Sequence, residues 1–312
     1  MKVLVTGGAG FIGSHITDKL IEKGAEVVVV DNLSTGQKRH INPKATFIEM
    51  DICSPELATI FSNHFDAVIH LAAQVDVASS VNDPGNDART NILGSLNVLE
   101  CCRKNSVRKV VYANSAAEIG EPSYLPVDED HPSLPLSPYG LSKHTIKEYL
   151  MLYNKLYGLK YTVLRYSNVY GPRQNHLGEG GVVAVFTSKL LANESITIFG
   201  DGKQTRDFIY VEDAAEATLR ALETGKNTCY NVGTGTETSV NDLLELLKGI
   251  TETKLEPIYA PERSGDISRS VFAVTKIEKE LGWRATTMLK EGLSRSIAYF
   301  RAEIKTRSIP PS

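Results

Sequence analysis

The sequence predicts an α/β fold: a Rossmann-type parallel sheet with helices on both faces, plus a smaller, discontinuous α/β lobe. Apolar, β-branched runs alternate with segments of helical periodicity through the first half, and a glycine-dense turn follows the first run. Repeated βα units of this kind build a parallel sheet. We expect residues 1–165, with returning segments near 206–235, to form the sheet domain, and 166–205 and 236–312 to form the second lobe.

Individual elements follow from pattern and turn residues. Predicted strands are short apolar runs bounded by turn residues: 3–6, 26–30, 45–50, 67–73, 108–113, 161–165 and 196–199. Predicted helices have apolar residues at three- and four-residue spacing: 14–21, 55–63, 86–104, 138–157, 182–191, 211–223, 240–250, 275–281 and 289–300. Glycines at 171 and from 178 to 181 mark a loop-rich departure from the sheet.

The turn after the first strand has the spacing of a dinucleotide-binding loop. Gly7, Gly10 and Gly13 recur every third residue, and Gly8 completes the Gly-x-Gly-x-x-Gly fingerprint. Bare backbone can approach a pyrophosphate closely there, and the following helix offers free N–H groups. Such glycines also occur for packing alone, but their place between strand and helix favours a nucleotide site.

An acidic residue follows the second predicted strand. Asp31 lies 18 residues beyond Gly13, where a carboxylate binds ribose hydroxyls and repels a 2′-phosphate. The sequence therefore predicts NAD, rather than NADP, as the cofactor.

Bulk composition excludes several classes of partner. The formal net charge is −3, so no broad basic surface for nucleic acid is indicated, and no apolar run has membrane-spanning length. The glycine turn comes too early for a signal peptide. No metal-ligand spacing connects the cysteines, and we expect no metal site and a cytoplasmic location. These cysteines are Cys53, Cys101, Cys102 and Cys229.

Three residues form a candidate catalytic group. Tyr139 and Lys143 are four residues apart on a predicted helix and therefore share one face. An ammonium near a phenol lowers the pKa of the phenol, so that Tyr139 can exchange a proton with an alcohol near neutral pH. Pro138 places the pair in the first helical turn, and Ser115 follows the fifth predicted strand. Tyr-x-x-x-Lys also arises by chance on helices, so the nucleotide-binding half supplies the context.

These motifs together resemble the extended short-chain dehydrogenases/reductases, and within them the nucleotide-sugar epimerases that interconvert UDP-glucose and UDP-galactose. The resemblance covers nearly the whole chain in order. It rests on residues 6–15, 31–34, 70–74, 91–95, 137–143, 164–173, 200–202, 206–211, 231–235 and 263–266. It implies NAD as cofactor, a UDP-sugar substrate and a 4-keto intermediate.

The resemblance also implies a set of site residues. Catalysis would involve Ser115, Tyr139 and Lys143. Cofactor binding would involve Gly7, Gly10, Phe11, Ile12, Gly13, Asp31, Asn32, Asp51, Ile52, Ala72, Ala73, Asn91, Tyr139, Lys143 and Tyr166, the last bordering the nicotinamide. Substrate binding would involve Ser115, Asn168, Arg206, Arg263, Asp266 and Ser270.

One segment departs from the family pattern. The family usually has a tyrosine before the glycine of residues 114–120, and here it is missing, either replaced by Ile119 or lost through a one-residue deletion. Related dehydratases need an acid beside the active hydroxyl residue, and an ungapped alignment places Ala116 and Ala117 there. A shifted register would bring Glu118 into the site, but a plain loop residue is the favoured interpretation. A decarboxylase, a 4,6-dehydratase and a non-catalytic NAD-binding scaffold remain alternatives.

Two further expectations concern assembly and substrate breadth. Residues 86–104 and 139–157 carry more apolar side chains than one face against a sheet requires, including Leu150, Leu152, Tyr153, Leu156 and Tyr157. The resemblance implies that these helices pair across a two-fold axis, so we expect a homodimer. Ser270 stands where some epimerases carry tyrosine. Its small size predicts room for an N-acetyl group, unless the 178–181 loop fills the space.

Overall fold

The computed structural model describes residues 1–175, 181–262 and 265–307. Its strands are β1 (Lys2–Thr6), β2 (Glu26–Asp31), β3 (Thr46–Glu49), β4 (Ala67–His70), β5 (Lys109–Ser115), β6 (Lys160–Tyr166), β7 (Asn168–Tyr170), β8 (Thr197–Phe199), β9 (Thr205–Arg206), β10 (Phe208–Tyr210), β11 (Cys229–Val232), β12 (Thr238–Ser239) and β13 (Ile258–Ala260). Its α-helices are α1 (Phe11–Glu22), α2 (Leu57–Ile60), α3 (Val77–Asn82), α4 (Pro84–Asp87), α5 (Ser95–Lys104), α6 (Pro138–Tyr157), α7 (Val182–Leu191), α8 (Val211–Thr224), α9 (Val240–Thr251), α10 (Thr275–Leu281) and α11 (Leu289–Arg307).

A seven-stranded parallel sheet forms the centre of the molecule. Its strand order is β11-β6-β5-β4-β1-β2-β3, and every neighbouring pair is parallel. The order reverses direction at β1, so the loops after β1 and β4 diverge and leave a crevice at the carboxyl edge. The predicted Rossmann-type sheet is confirmed.

Helices cover both faces of this sheet, as the alternation along β1 requires. Val3 and Val5 face one core, which α1 and α8 complete, whereas Leu4 faces a second core with residues of α5 and α6. All three side chains are fully buried. Because successive side chains of a strand point to opposite faces, one apolar run supplies both cores.

The helix that carries the candidate catalytic pair has strong signals at both ends. The Ser137 side chain accepts a hydrogen bond from the Gly140 N–H, and Pro138 occupies the first turn. At the other end Gly158 has a φ of 71°, the left-handed conformation that glycine tolerates best. These signals explain why α6 has the predicted bounds.

A third core lies outside the sheet. It is formed by α7, α9 and α11 with the short strands β8 and β10, and it includes Phe186, Ile198, Leu243 and Leu293. By contrast, α10 packs through Ile277 on the sheet core, although we had assigned residues 236–312 to the second lobe. The lobe is therefore discontinuous, and the chain returns to the sheet twice after β6.

The remaining differences from the sequence predictions are local. The helix predicted over 86–104 has a π-helical segment at Ala88–Gly94, between α4 and α5. Strand β11 completes the sheet but was not predicted as a strand, and α3 was missed. Cys101 and Cys102 are buried in the core, as expected. Within the described ranges, no helix combines the length and hydropathy needed to cross a bilayer.

Candidate active site

The glycine loop after β1 is a backbone cradle. A Cβ atom on Gly13 would lie 2.2 Å from the Gly7 carbonyl oxygen, and one on Gly7 would lie 2.7 Å from the Ala72 nitrogen. Gly7 also has a φ of 74°. The loop, the first turn of α1 and the exit of β4 therefore touch through bare backbone, which is the geometry a pyrophosphate site needs.

Asp31 organises the loops beside this cradle. Its carboxylate accepts hydrogen bonds from the Ala9 N–H (3.0 Å) and the Leu33 N–H (2.8 Å). The side chain is only 7% exposed, at the carboxyl end of β2. The predicted ribose-binding acid thus lies at the sheet edge, beside the glycine loop.

Asn32 and Asp51 meet at the carboxyl ends of β2 and β3. The Asn32 side-chain amide donates to Asp51 Oδ2 (2.9 Å), and the Cys53 N–H donates to Oδ1 (2.7 Å). Partial burial raises the pKa of Asp51, but these hydrogen bonds outweigh it and the net pKa is lowered. Ile52 is buried beside Gly94. This pair and the Asp31 loop together form one wall of the crevice.

The loop after β4 is held by a buried amide. The Asn91 side chain accepts from the Gln74 N–H (2.8 Å) and donates to the Gln74 carbonyl oxygen (2.9 Å). Asn91 also contacts Asp87. It lies in the π-helical segment and fixes the loop that contains Ala72 and Ala73, so its contacts in this structure are to the protein.

The three predicted catalytic residues come together. Ser115 ends β5, and its side chain interacts with the Tyr139 phenol and lowers the pKa of that phenol. Lys143 lies one turn further along α6, with its Nζ atom 5.8 Å from the centre of the Tyr139 ring, and donates to the Ala113 carbonyl oxygen (3.0 Å). Tyr139 and Lys143 are 9% and 4% exposed. In this arrangement the Ser115 and Tyr139 hydroxyl groups can both contact one oxygen atom of an alcohol substrate.

The electrostatics of this group differ from the sequence expectation. We expected the Lys143 ammonium to lower the pKa of Tyr139, but burial raises it and the Ser115 hydrogen bond only partly offsets that effect. Burial also lowers the pKa of Lys143 to about 8. The Lys143 ammonium donates to the Ala113 carbonyl oxygen.

Tyr166 lies at the end of β6, and its side chain is buried. It was expected to border the nicotinamide, yet its ring belongs to the sheet core and its hydroxyl is hydrogen-bonded to Thr218 Oγ1 at 2.6 Å. Alternation along β6 turns this side chain toward α8. At the glycine cradle, by contrast, Phe11 and Ile12 pack against the core of the second lobe.

Most of the predicted substrate residues share one region of the second lobe. Arg206 donates to Asp266 Oδ1 (2.5 Å) and to the Ile267 carbonyl oxygen (2.7 Å). The Ser270 N–H donates to the Thr205 carbonyl oxygen (3.2 Å).

Asn168 is exposed nearby, and its N–H donates to the Asp207 carbonyl oxygen. Arg263 and residues 176–180, which include most of the 178–181 loop, lie outside the described residues. Two of the residues expected to contact the diphosphate and the ribose, Arg206 and Asp266, are thus hydrogen-bonded to each other.

Glu118 is not a plain loop residue. It is fully buried, and its carboxylate is ion-paired with Arg165 and with Lys147 (3.2 Å), with the His144 ring 3.5 Å away. Burial alone would raise the pKa of Glu118, but contact with His144 and the charges of Arg165 and Lys147 lower it to about 2. Glu118 is therefore a carboxylate and not a proton donor near neutral pH.

Sequence reasoning missed two residues that shape the site. Ser80 accepts the Tyr139 N–H (3.2 Å), and the buried Asp207 carboxylate accepts from the Thr234 and Gly235 N–H groups. Ser80 has no motif signature, whereas Asp207 lies within the 206–211 motif but was given no role of its own. Arg165 did offer a signal, because a lone arginine inside an apolar strand needs a buried acidic partner.

Comparison with known proteins identifies the family. Residues 3–233 match the NAD dependent epimerase/dehydratase family, and the chain belongs to it. A Thermotoga maritima UDP-glucose 4-epimerase solved with UDP-glucose is 48% identical, with a TM-score of 0.96 over 97% of this chain and 100% of that one. The Thermus thermophilus UDP-glucose 4-epimerase in complex with NAD is 41% identical, with a TM-score of 0.91 over 96% and 99%. A UDP-glucose 4-epimerase of Mycolicibacterium smegmatis is 40% identical over 96% of this chain and 99% of its own length.

The cofactor preference is testable at Asp31. We expect NAD to be the main dinucleotide released when the purified chain is denatured, because the carboxylate repels a 2′-phosphate. Asp31→Ser should lower the ratio of NAD to NADP affinity at least tenfold, measured by binding titration of the cofactor-free chain. The control is Asp66→Asn, because Asp66 directly precedes β4 and lies at the amino edge of the sheet, away from the crevice. Release of mainly NADP from the wild type would contradict the assignment.

Proposed function

We propose that this chain is an NAD-dependent UDP-glucose/UDP-galactose 4-epimerase, an isomerase that works through a 4-keto sugar. The observation that carries the proposal is the buried group of Tyr139 and Lys143 with Ser115 beside the phenol, next to a backbone cradle that fits a dinucleotide. The identity to UDP-glucose 4-epimerases over nearly the full chain supports the substrate.

Tyr139 would take the proton of the sugar C4 hydroxyl, while Ser115 hydrogen-bonds the same oxygen. When bound, NAD supplies a reversible hydride acceptor at the carbon that loses its hydrogen. Lys143 would stabilise the phenolate, since its pKa of about 8 keeps a large fraction charged near neutral pH. Once the keto sugar has turned so that C4 regains its hydride on the other face, Tyr139 would return the proton to the C4 oxygen and complete epimerisation.

The second lobe would hold the nucleotide part of the substrate. Arg206, whose side chain is 17% exposed, and Arg263 are candidates for the diphosphate, as is Asn168, and Asp266 is a candidate for the ribose. Firm contacts there leave the sugar free to turn. In this proposal residues 1–165 with returning segments bind NAD, and the later segments bind the UDP-sugar.

The state of Glu118 disfavours the alternative enzymes. A dehydratase needs an acid to protonate the leaving hydroxyl, and Glu118 is a buried, ion-paired carboxylate. The non-catalytic scaffold is disfavoured because Ser115, Tyr139 and Lys143 are assembled with catalytic geometry.

The setting of the enzyme is also a proposal. The four cysteines are free thiols, which suits a reducing cytoplasm, and the reaction places the chain in galactose metabolism. The exposed face of α6 presents Leu152, Leu156 and Tyr157, which are 45–57% exposed, and it supports a homodimer. Leu150 and Tyr153, which we had counted with them, are instead buried in the core.

The assignment of Tyr139 as the proton acceptor predicts how the loss of its hydroxyl oxygen changes kcat. Tyr139→Phe should lower kcat for UDP-galactose by ~10²–10⁴-fold, because the group that exchanges the C4 proton is removed. Bound NAD should persist. Tyr230→Phe is the matched control, since that hydroxyl bonds Glu280 away from the site. Near wild-type turnover by Tyr139→Phe would overturn the proposed mechanism.

The dimer predicts a sedimentation mass of about twice the 34.1 kDa chain at micromolar concentration. Leu156→Glu should shift it toward the monomer, because a charge would enter an apolar interface. Leu255→Glu, a substitution at a partly buried residue packed against the core of the second lobe, tests whether misfolding alone gives this result. A wild-type mass near 34 kDa would exclude the homodimer.

Substrate breadth is predicted at Ser270, whose backbone joins the strand that carries Arg206. The small side chain should leave room for an N-acetyl group, so we expect turnover of UDP-N-acetylgalactosamine beside UDP-galactose. Ser270→Tyr should lower kcat/KM for the N-acetylated sugar selectively, and Ser270→Ala should not. An unchanged ratio in Ser270→Tyr would show that another group sets the pocket size.

A further inference from the structure

A buried charge cluster lies directly behind the candidate catalytic residues. Glu118, with no exposed surface, is paired with Arg165 of β6, which is equally buried, and with Lys147 of α6. His144 of the same helix lies beside the carboxylate. Taking a carboxylate and a guanidinium out of water is costly, and an apolar residue could fill such a position. A further role for the cluster would explain its presence.

The cluster joins the two segments that carry the catalytic hydroxyl groups. Glu118 ends a 3₁₀ turn that starts immediately after Ser115, and the Ala117 N–H donates to Ser115 Oγ (3.2 Å). On α6, a Cβ atom at Gly140 would lie 2.3 Å from the Ala117 carbonyl oxygen. The turn and the first turn of α6, which contains Tyr139, therefore meet backbone to backbone.

Hydrogen bonds to neighbouring segments hold the Arg165 side chain in place. Its Nη1 donates to the Asn231 side-chain oxygen (3.0 Å) and to the Asp128 carbonyl oxygen (3.2 Å). The Asn231 amide in turn donates to the Val127 carbonyl oxygen (2.9 Å). The guanidinium is thus fastened to β11 and the 127–128 loop, so Glu118 holds the Ser115 turn and α6 to the rigid sheet.

We propose that Glu118 is a positioning residue that sets the distance between the Ser115 and Tyr139 hydroxyl groups. The inference rests on the proposed function for its kinetic consequence. It gives a role to the acid three residues after Ser115, which is directed into the protein and clamps the two catalytic segments. Misplacement of reacting groups by about 1 Å can cost ~10²-fold in rate.

The kinetic test uses Glu118→Gln, which keeps the shape and removes the charge. We expect kcat for UDP-galactose, per NAD-loaded site, to fall at least tenfold, with KM changed by less than threefold. Lys147→Gln should lower kcat by a smaller factor. It provides the kinetic test if Glu118→Gln does not fold. The control is Asp66→Asn, which breaks an ion pair with Arg108 at the opposite sheet edge. Wild-type kcat per site in both Glu118→Gln and Lys147→Gln would overturn the proposal.

Two further measurements separate positioning from general destabilisation. In a Ser115→Ala background, Glu118→Gln should lower kcat much less than in the wild type, because the two act through one geometry. Fully additive losses would contradict the proposal. Hydrogen exchange of the NAD-loaded chain should be faster over 115–120 and 138–143 in Glu118→Gln but not in Asp66→Asn. Unchanged exchange there would overturn the clamp, and this readout decides even if the wild type fails to turn over UDP-galactose and the proposed function is wrong.

Discussion

Backbone-to-backbone contact at the turn after β1 is the constraint on which the nucleotide half depends. Gly13 approaches the Gly7 carbonyl more closely than any side chain permits, and Gly7 does the same at Ala72. These contacts draw the start of α1 onto the ends of β1 and β4. The N–H groups of the helix thereby face the crevice where the strand order reverses. Asp31 completes the arrangement by bonding the Ala9 N–H within the same loop.

Close backbone contact at glycines also shapes the catalytic side of the crevice, with different residues. Gly140 lets α6 touch the Ala117 carbonyl, and Gly120, with a φ of 74°, lies against the Leu134 carbonyl in the adjoining loop. Both ends of the crevice are thus defined by close backbone approach, which cannot adjust as a side chain can. Side chains then refine each end: Asp31 on the cofactor side, and Glu118 with Arg165 on the catalytic side.

Local signals made much of this fold predictable. The bounds of α6 follow from its capping residues, and those of α7 and α10 follow from apolar spacing within each segment. Strand β11 was missed because four residues show no period, and it exists by pairing with β6. The catalytic group was predicted because Tyr139 and Lys143 share a helix. The burial of Glu118 was not, since Arg165 lies 47 residues away and only the sheet brings them together.

A buried histidine and a buried lysine near the crevice both have partners within the protein, and they respond differently to pH. His70 lies between Thr6 Oγ1 (2.7 Å) and Ser95 Oγ (2.8 Å), and burial lowers its pKa to about 3. It is therefore neutral across the physiological range, and the floor of the crevice keeps a constant charge. Lys143, with a pKa of about 8, titrates closer to neutrality. Because the imidazole beneath stays uncharged, the charge beside Tyr139 is set by the lysine and by what binds next to it.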